Sequence, residues 1–332
     1  AVSRVILPLD ETATSVDGKD YTVLANRHSD CFELPAALAS GRREVTHAYV
    51  SNAEGANDPQ EKFVTLVLAV APNKPISSPI QYSRNENCRG NNWVDYRLTV
   101  VQNSTGKVWN SEAERIVKPI ERFDLGGKFT DQGITMSYAS FAPQNTSGKS
   151  PLIIWLHGGG EGGTDPSIPL VANRAANYAS DEIQVLFAGA YVLVPQSPTR
   201  WMDAGSGKTT WGDTEDIYHE PLIALIRHFV AEHPDIDPDR IYVGGCSNGG
   251  YMTLKLLLEN PDYFAAAFPS ALAYYSEYLT DGQVAAIADM PIWFVHSRDD
   301  PVTVPDKTVV PLHKRLMAAG AQNIVFSYYD HV

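Results

Sequence analysis

The chain has 332 residues, 26 of them basic and 39 acidic, for a formal net charge of −13. The length points to two domains and the composition to a globular protein, while the acidic balance argues against nucleic acid or an anionic membrane surface as partner. Three cysteines (Cys31, Cys88, Cys246) are too few for a disulfide scaffold, and no apolar run approaches the length that spans a bilayer.

The N-terminal Ala-Val-Ser-Arg-Val-Ile lacks the charged start and apolar centre of a signal peptide. A leader removed before Ala1 is compatible with this, and a secreted or periplasmic location is the expectation. Cys31 and Cys88 either pair, as export would allow, or remain free thiols.

Up to about residue 110 the chain reads as strands. Val94, Tyr96, Leu98 and Val100 alternate with Asp95, Arg97 and Thr99, the period of a half-buried strand. Phe63–Val70 is apolar on both faces and suits a central strand. Asp17-Gly18, Ser40-Gly41, Asn57-Asp58-Pro59 and Asn73-Lys74-Pro75 punctuate the region as turns. Short strands at this spacing predict a small β-sandwich of immunoglobulin-like size over 1–118.

From 119 to 332 strands alternate with helices. Ile134–Phe141 and Leu152–Leu156 read as strands, the second ending at His157-Gly158-Gly159-Gly160. Val185–Val194 reads as another, closed by Pro195. Leu222, Leu225, Ile226 and Phe229 recur at helical spacing, and His233-Pro234 ends that helix. Phe264–Phe268, Pro291–Val295 and Ile324–Tyr329 supply later strands. Leu312, Leu316 and Met317 form a helix face capped by Gly320. Such alternation predicts an α/β domain with a mainly parallel sheet covered on both faces.

Within this domain, Ile241-Tyr-Val-Gly-Gly-Cys-Ser-Asn-Gly-Gly-Tyr251 places G-x-S-x-G between a strand and a helix. A serine hydroxyl is a weak nucleophile unless a tight turn holds it where a base can reach it, and that turn needs glycine on either side. Ser247 is therefore the candidate nucleophile, with Cys246 as a small packing residue beside it. Acyl transfer also needs N–H groups aimed at the developing oxyanion. The Asn248 amide and one from Gly158 or Gly159 fit that need. The acid belongs beyond a later strand, where Asp299 and Asp300 compete. Asp300 is preferred, four residues after His296 and stiffened by Pro301. His331 follows in the order Ser…Asp…His. Either it is the base, or the base lies beyond Val332.

Gly205–Thr210 imitates a phosphate loop, but Met202 stands where its first glycine belongs, so it reads as a turn. His219, His228 and His233 lack metal-ligand spacing, and neither metal nor cofactor is expected. Trp201, Trp211 and Tyr251 are either core residues or the lining of a substrate pocket.

Leu156–Gly163, Gly245–Met252 and Val295–Pro301 together resemble the bacterial two-domain carboxylesterases, in which an immunoglobulin-like domain precedes an α/β-hydrolase domain, related to feruloyl esterases and polyhydroxybutyrate depolymerases. The resemblance implies hydrolysis of a small-molecule or polymer-attached ester, with Ser247 as nucleophile and Asp300 as acid. It also implies an N-terminal domain that positions substrate or mediates homo-oligomer assembly. In these relatives the base lies further along than the Tyr329–Val332 equivalent. Two rival readings are a serine peptidase of prolyl-oligopeptidase type and a binding module whose hydrolase domain has lost its base.

Overall fold

A computed structural model describes residues 1–144, 148–205 and 207–331. The Gly205–Thr210 turn includes Ser206 and the C-terminal pair includes Val332, both outside the described residues. The chain forms two compact units, Ala1–Ile116 and Val117–Val332.

The first unit is a sandwich of antiparallel sheets. One sheet sets Phe63–Leu68 between Arg4–Pro8 and Val45–Ser51. The other runs Ser40–Arg43, Tyr21–His28, Asp95–Gln102, Val108–Trp109. Tyr21–His28 buries alternate residues, as period-two patterning requires. Leu7, Tyr21, Val23, Val64, Leu66, Leu68 and Val100 from both sheets meet in one core. Phe63–Leu68 is the central strand of its sheet, and Val64, Leu66 and Leu68 give the face that enters this core. Cys31 and Cys88 are joined in a disulfide across 57 positions of sequence.

The second unit holds eight strands: β1 (Asp124–Asp131), β2 (Ile134–Phe141), β3 (Ser150–Leu156), β4 (Tyr191–Gln196), β5 (Ile236–Cys246), β6 (Ala266–Ser270), β7 (Ile292–Ser297) and β8 (Ile324–Tyr329). Their order is β1-β2-β4-β3-β5-β6-β7-β8. β1 and β2 are antiparallel and the other six run parallel. The longer helices are α1 (His219–Glu232), α2 (Asn248–Glu259) and α3 (Val309–Ala318). Leu222, Leu225, Ile226 and Phe229 of α1 pack on the sheet with Leu152, Ile154, Leu193 and Val243. Among the described residues no helix is long and apolar enough to cross a membrane.

One predicted strand is corrected. Val185 and Leu186 end a short helix, Asp181–Leu186, with both side chains exposed, and the strand begins only at Tyr191. Pro195 lies inside β4, opposite Tyr138 of β2 and beyond Leu193, the last β4 residue paired with β3, so its missing amide hydrogen is tolerated on that side. Because β3 to β8 run parallel, Leu156, Gln196, Cys246, Ser270, Ser297 and Tyr329 end on one edge of the sheet. In open α/β sheets that carboxyl edge is where ligands bind.

Candidate active site

Ser247 sits between β5 and α2 with φ 56° and ψ −109°, a left-handed conformation costly for a residue with a Cβ. The surroundings enforce it. Its amide donates to the Ser270 carbonyl at the end of β6 (2.9 Å), and its carbonyl accepts the Tyr251 amide (3.0 Å). The neighbouring glycines are there for close approach. A Cβ on Gly249 would lie 2.0 Å from the Leu156 carbonyl oxygen, and one on Gly245 would lie 2.5 Å from the Gly249 oxygen. The turn thus presses α2 directly against the end of β3, and only glycine permits it.

The His157–Gly160 loop leaves β3 at the same point. His157 is buried, and its Nε2 accepts the Ser197 amide (3.1 Å). Nδ1 must then carry the hydrogen, which it donates to the Gly158 carbonyl (2.6 Å). Burial holds this imidazole down to a pKa of about 4, so it is neutral and structural. Gln196 pins the same loop by donating to the Glu161 carbonyl (2.8 Å). An ideal Cβ on Gly159 would lie 3.7 Å from Asn248 Nδ2, so the glycine loop lies over the first residue of α2. The Asn248 side chain in turn accepts the Met202 amide (3.2 Å).

The three candidate pocket residues fare differently. Trp201 is 0% exposed and packs edge-on against Tyr218, and Tyr251 is 1% exposed and stacks on Tyr274. Neither presents surface to a substrate, which corrects the pocket reading in favour of core packing. Trp211 is half-buried and stacks on Tyr275 at 4.6 Å, in the loops that follow β4 and β6.

The structure separates the two aspartates after β7. Asp300 accepts the Val302 amide (2.8 Å), the Thr303 amide (3.0 Å) and the Thr303 hydroxyl (2.6 Å). Burial raises the Asp300 carboxyl and these bonds outweigh it, leaving it below the ordinary carboxylate value. Asp299 instead accepts the Ser297 hydroxyl (2.9 Å) on one oxygen and faces His331 Nδ1 (3.1 Å) with the other. The His331 contact is the main cause lowering its carboxyl. His331 is thus brought to Asp299, and Asp300 is occupied by its own turn. Among the described residues no hydrogen bond joins the Ser247 hydroxyl to an imidazole.

With this geometry in view, residues 1–112 match the family described as the esterase Ig-like N-terminal domain, and residues 196–281 match the prolyl oligopeptidase family. The crystal structure of a thermostable esterase superposes with a TM-score of 0.80 at 26% identity, covering 99% of this chain and 87% of that one. Over nearly its whole length the chain is thus similar to a solved esterase that shares its fold. A curated relative, the bifunctional acetylxylan esterase/xylanase XynS20E of Neocallimastix patriciarum, is 26% identical over 172 residues. The match spans 52% of this chain and 22% of that protein.

Sequence reasoning passed over Glu215 and Asp216. Asp216 accepts the Tyr251 hydroxyl (3.0 Å), and Glu215 accepts Lys255 Nζ (2.7 Å). The available signal was Tyr251 and Lys255, one turn apart in a largely apolar helix. His219 likewise pairs with Asp216 (3.3 Å), a contact that raises its pKa above the usual histidine value.

Proposed function

We propose that the chain hydrolyses carboxylic esters through an acyl-enzyme on Ser247. The observation that carries this is the Ser247 turn itself: a strained, non-glycine residue at the mouth of a parallel sheet, between glycines that a Cβ would exclude. Strain of this kind clusters at catalytic positions because the conformation exposes the reactive atom.

In this reading the Ser247 oxygen attacks the ester carbonyl while an imidazole takes its proton. The N–H of Asn248 and one from Gly158 or Gly159 receive the charge on the carbonyl oxygen. The alcohol leaves with the proton, and water releases the acid by the same route in reverse. His331 is the proposed base. Asp299, which it already contacts, replaces Asp300 as the proposed orienting acid. Ser247 follows β5 and His331 follows β8, three strand spacings or about 14 Å apart along the sheet. Replacing His331 with alanine tests this: turnover falls by about a thousandfold or more if His331 is the base. Retained turnover assigns the proton to another group.

The curated relative's name puts short acyl groups on a polymer first among substrates to try. A second reading, peptide hydrolysis, draws on the match of residues 196–281 to the prolyl oligopeptidase family. Comparing p-nitrophenyl esters with peptide anilides decides between them.

A further inference from the structure

The loop between β4 and α1 grips the Ser247 helix at two successive turns. Asp216 is buried, and its Oδ1 accepts the amides of Tyr218 (2.9 Å) and His219 (2.8 Å) at the start of α1. These amides have no partner within the helix, and the positive end of α1 favours a carboxylate there. The other oxygen, Oδ2, accepts the Tyr251 hydroxyl at 3.0 Å. One residue earlier, Glu215 accepts Lys255 Nζ at 2.7 Å, and Lys255 also reaches Glu259 at 2.9 Å. Ser247, Tyr251 and Lys255 are four positions apart and share one stripe of the helix.

The grip acts where the strain is stored. The Tyr251 amide donates to the Ser247 carbonyl, closing the turn that carries the left-handed φ. The Tyr251 ring stacks on Tyr274 at 5.2 Å, in the loop that follows β6, and β6 ends at Ser270, which accepts the Ser247 amide. Strained conformations persist only where the surroundings over-determine them. Here a carboxylate anchored on one helix fixes the first turn of the next.

We propose that Asp216 and Tyr251 are positioning residues for Ser247. The carboxylate holds the first turn of α2 so that the Ser247 hydroxyl and the Asn248 amide keep the geometry acyl transfer needs, and Glu215 with Lys255 repeats the hold one turn on. This rests on the reading of Ser247 as nucleophile. Burial alone would ask only that Tyr251 be an aromatic ring of its size. The proposal makes its hydroxyl matter to turnover.

The test compares the full chain as wild type, Tyr251→Phe, Asp216→Asn, the double variant and Ser247→Ala. The readouts are kcat and KM on p-nitrophenyl acetate and the rate of fluorophosphonate labelling, each well below the melting temperature. Tyr251→Phe, which keeps the ring, is expected to lower kcat and labelling together by about tenfold with KM within about twofold. Asp216→Asn keeps an acceptor and loses less, and the double variant is no slower than Tyr251→Phe alone. If Asp216→Asn does not fold, Tyr251→Phe decides alone. Wild-type kcat and labelling in Tyr251→Phe, with Ser247→Ala inert, overturn the proposal and leave the nucleophile reading standing. Labelling of Ser247→Ala at the wild-type rate overturns that reading, and the proposal with it.

Discussion

The imidazole of His331 meets the carboxylate of Asp299, with Nδ1 3.1 Å from Oδ2, while the adjacent Asp300 binds three donors of its own turn. Two neighbouring aspartates therefore have separable jobs. Asp299→Asn is expected to lower kcat by about a hundredfold or more with the melting temperature nearly unchanged, because the imidazole loses its orienting charge. Asp300→Ala is expected to do the reverse, costing about 1–3 kcal/mol of stability through the lost turn bonds. Thermal melts and steady-state rates on both variants check this. Equal effects on rate would undo the division.

Gly249 has no room for a side chain. A Cβ there would sit 2.0 Å from backbone oxygen of β3, which cannot swing aside as a side chain would. Gly249→Ala is expected to destabilise the second unit by more than about 3 kcal/mol or to abolish soluble expression. Denaturant unfolding measures it, and a near-neutral change would mean the turn is looser than described.

His157 makes stability pH-dependent in a defined direction. Its folded pKa is held at about 4 by burial, below the unfolded value of about 6.5. Between these values the unfolded chain binds more protons, so stability rises with pH across that window and falls on acidification. Integrated over the window, the loss from this one group is about 3 kcal/mol. Denaturant unfolding at steps from pH 7 to pH 4 is expected to show that decline, and His157→Gln to flatten it. Parallel curves for both proteins would remove His157 as the cause.

Two tryptophans that look alike in sequence should respond differently. Trp201 is fully buried, so Trp201→Ala is expected to cost about 3–5 kcal/mol of stability. Trp211 is half-buried against Tyr275, so Trp211→Ala is expected to shift relative rates among short, long and aromatic esters while the fold holds. Unchanged rate ratios in Trp211→Ala would place it with the packing residues.

Much of this molecule is legible in the order of its residues. Asp95–Gln102 and the face of α1 announce themselves by period, because burial on a sheet or helix face constrains residue type directly. β1 does not. It is an edge strand, exposed along much of both faces, and Asp124-Leu-Gly-Gly-Lys-Phe-Thr-Asp131 carries little alternation. Val185 and Leu186 mislead for the opposite reason, being apolar yet exposed on a short helix. At the site, the Ser247 turn is readable because glycines mark where backbone must approach backbone. The choice between Asp299 and Asp300 is not, since both are turn residues of the same type. Only the direction each side chain takes, set by Thr303 and His331, tells them apart. Asp216 is hidden for a related reason. Its partner Tyr251 lies 35 positions away, and no local pattern records that contact.

The most direct measurement is covalent. A fluorophosphonate probe reacted with the full chain, followed by mass spectrometry of the peptides, is expected to place the adduct on Ser247 and to leave Ser247→Ala unlabelled and without ester turnover. Labelling at another residue, or turnover that survives in Ser247→Ala, would contradict the account.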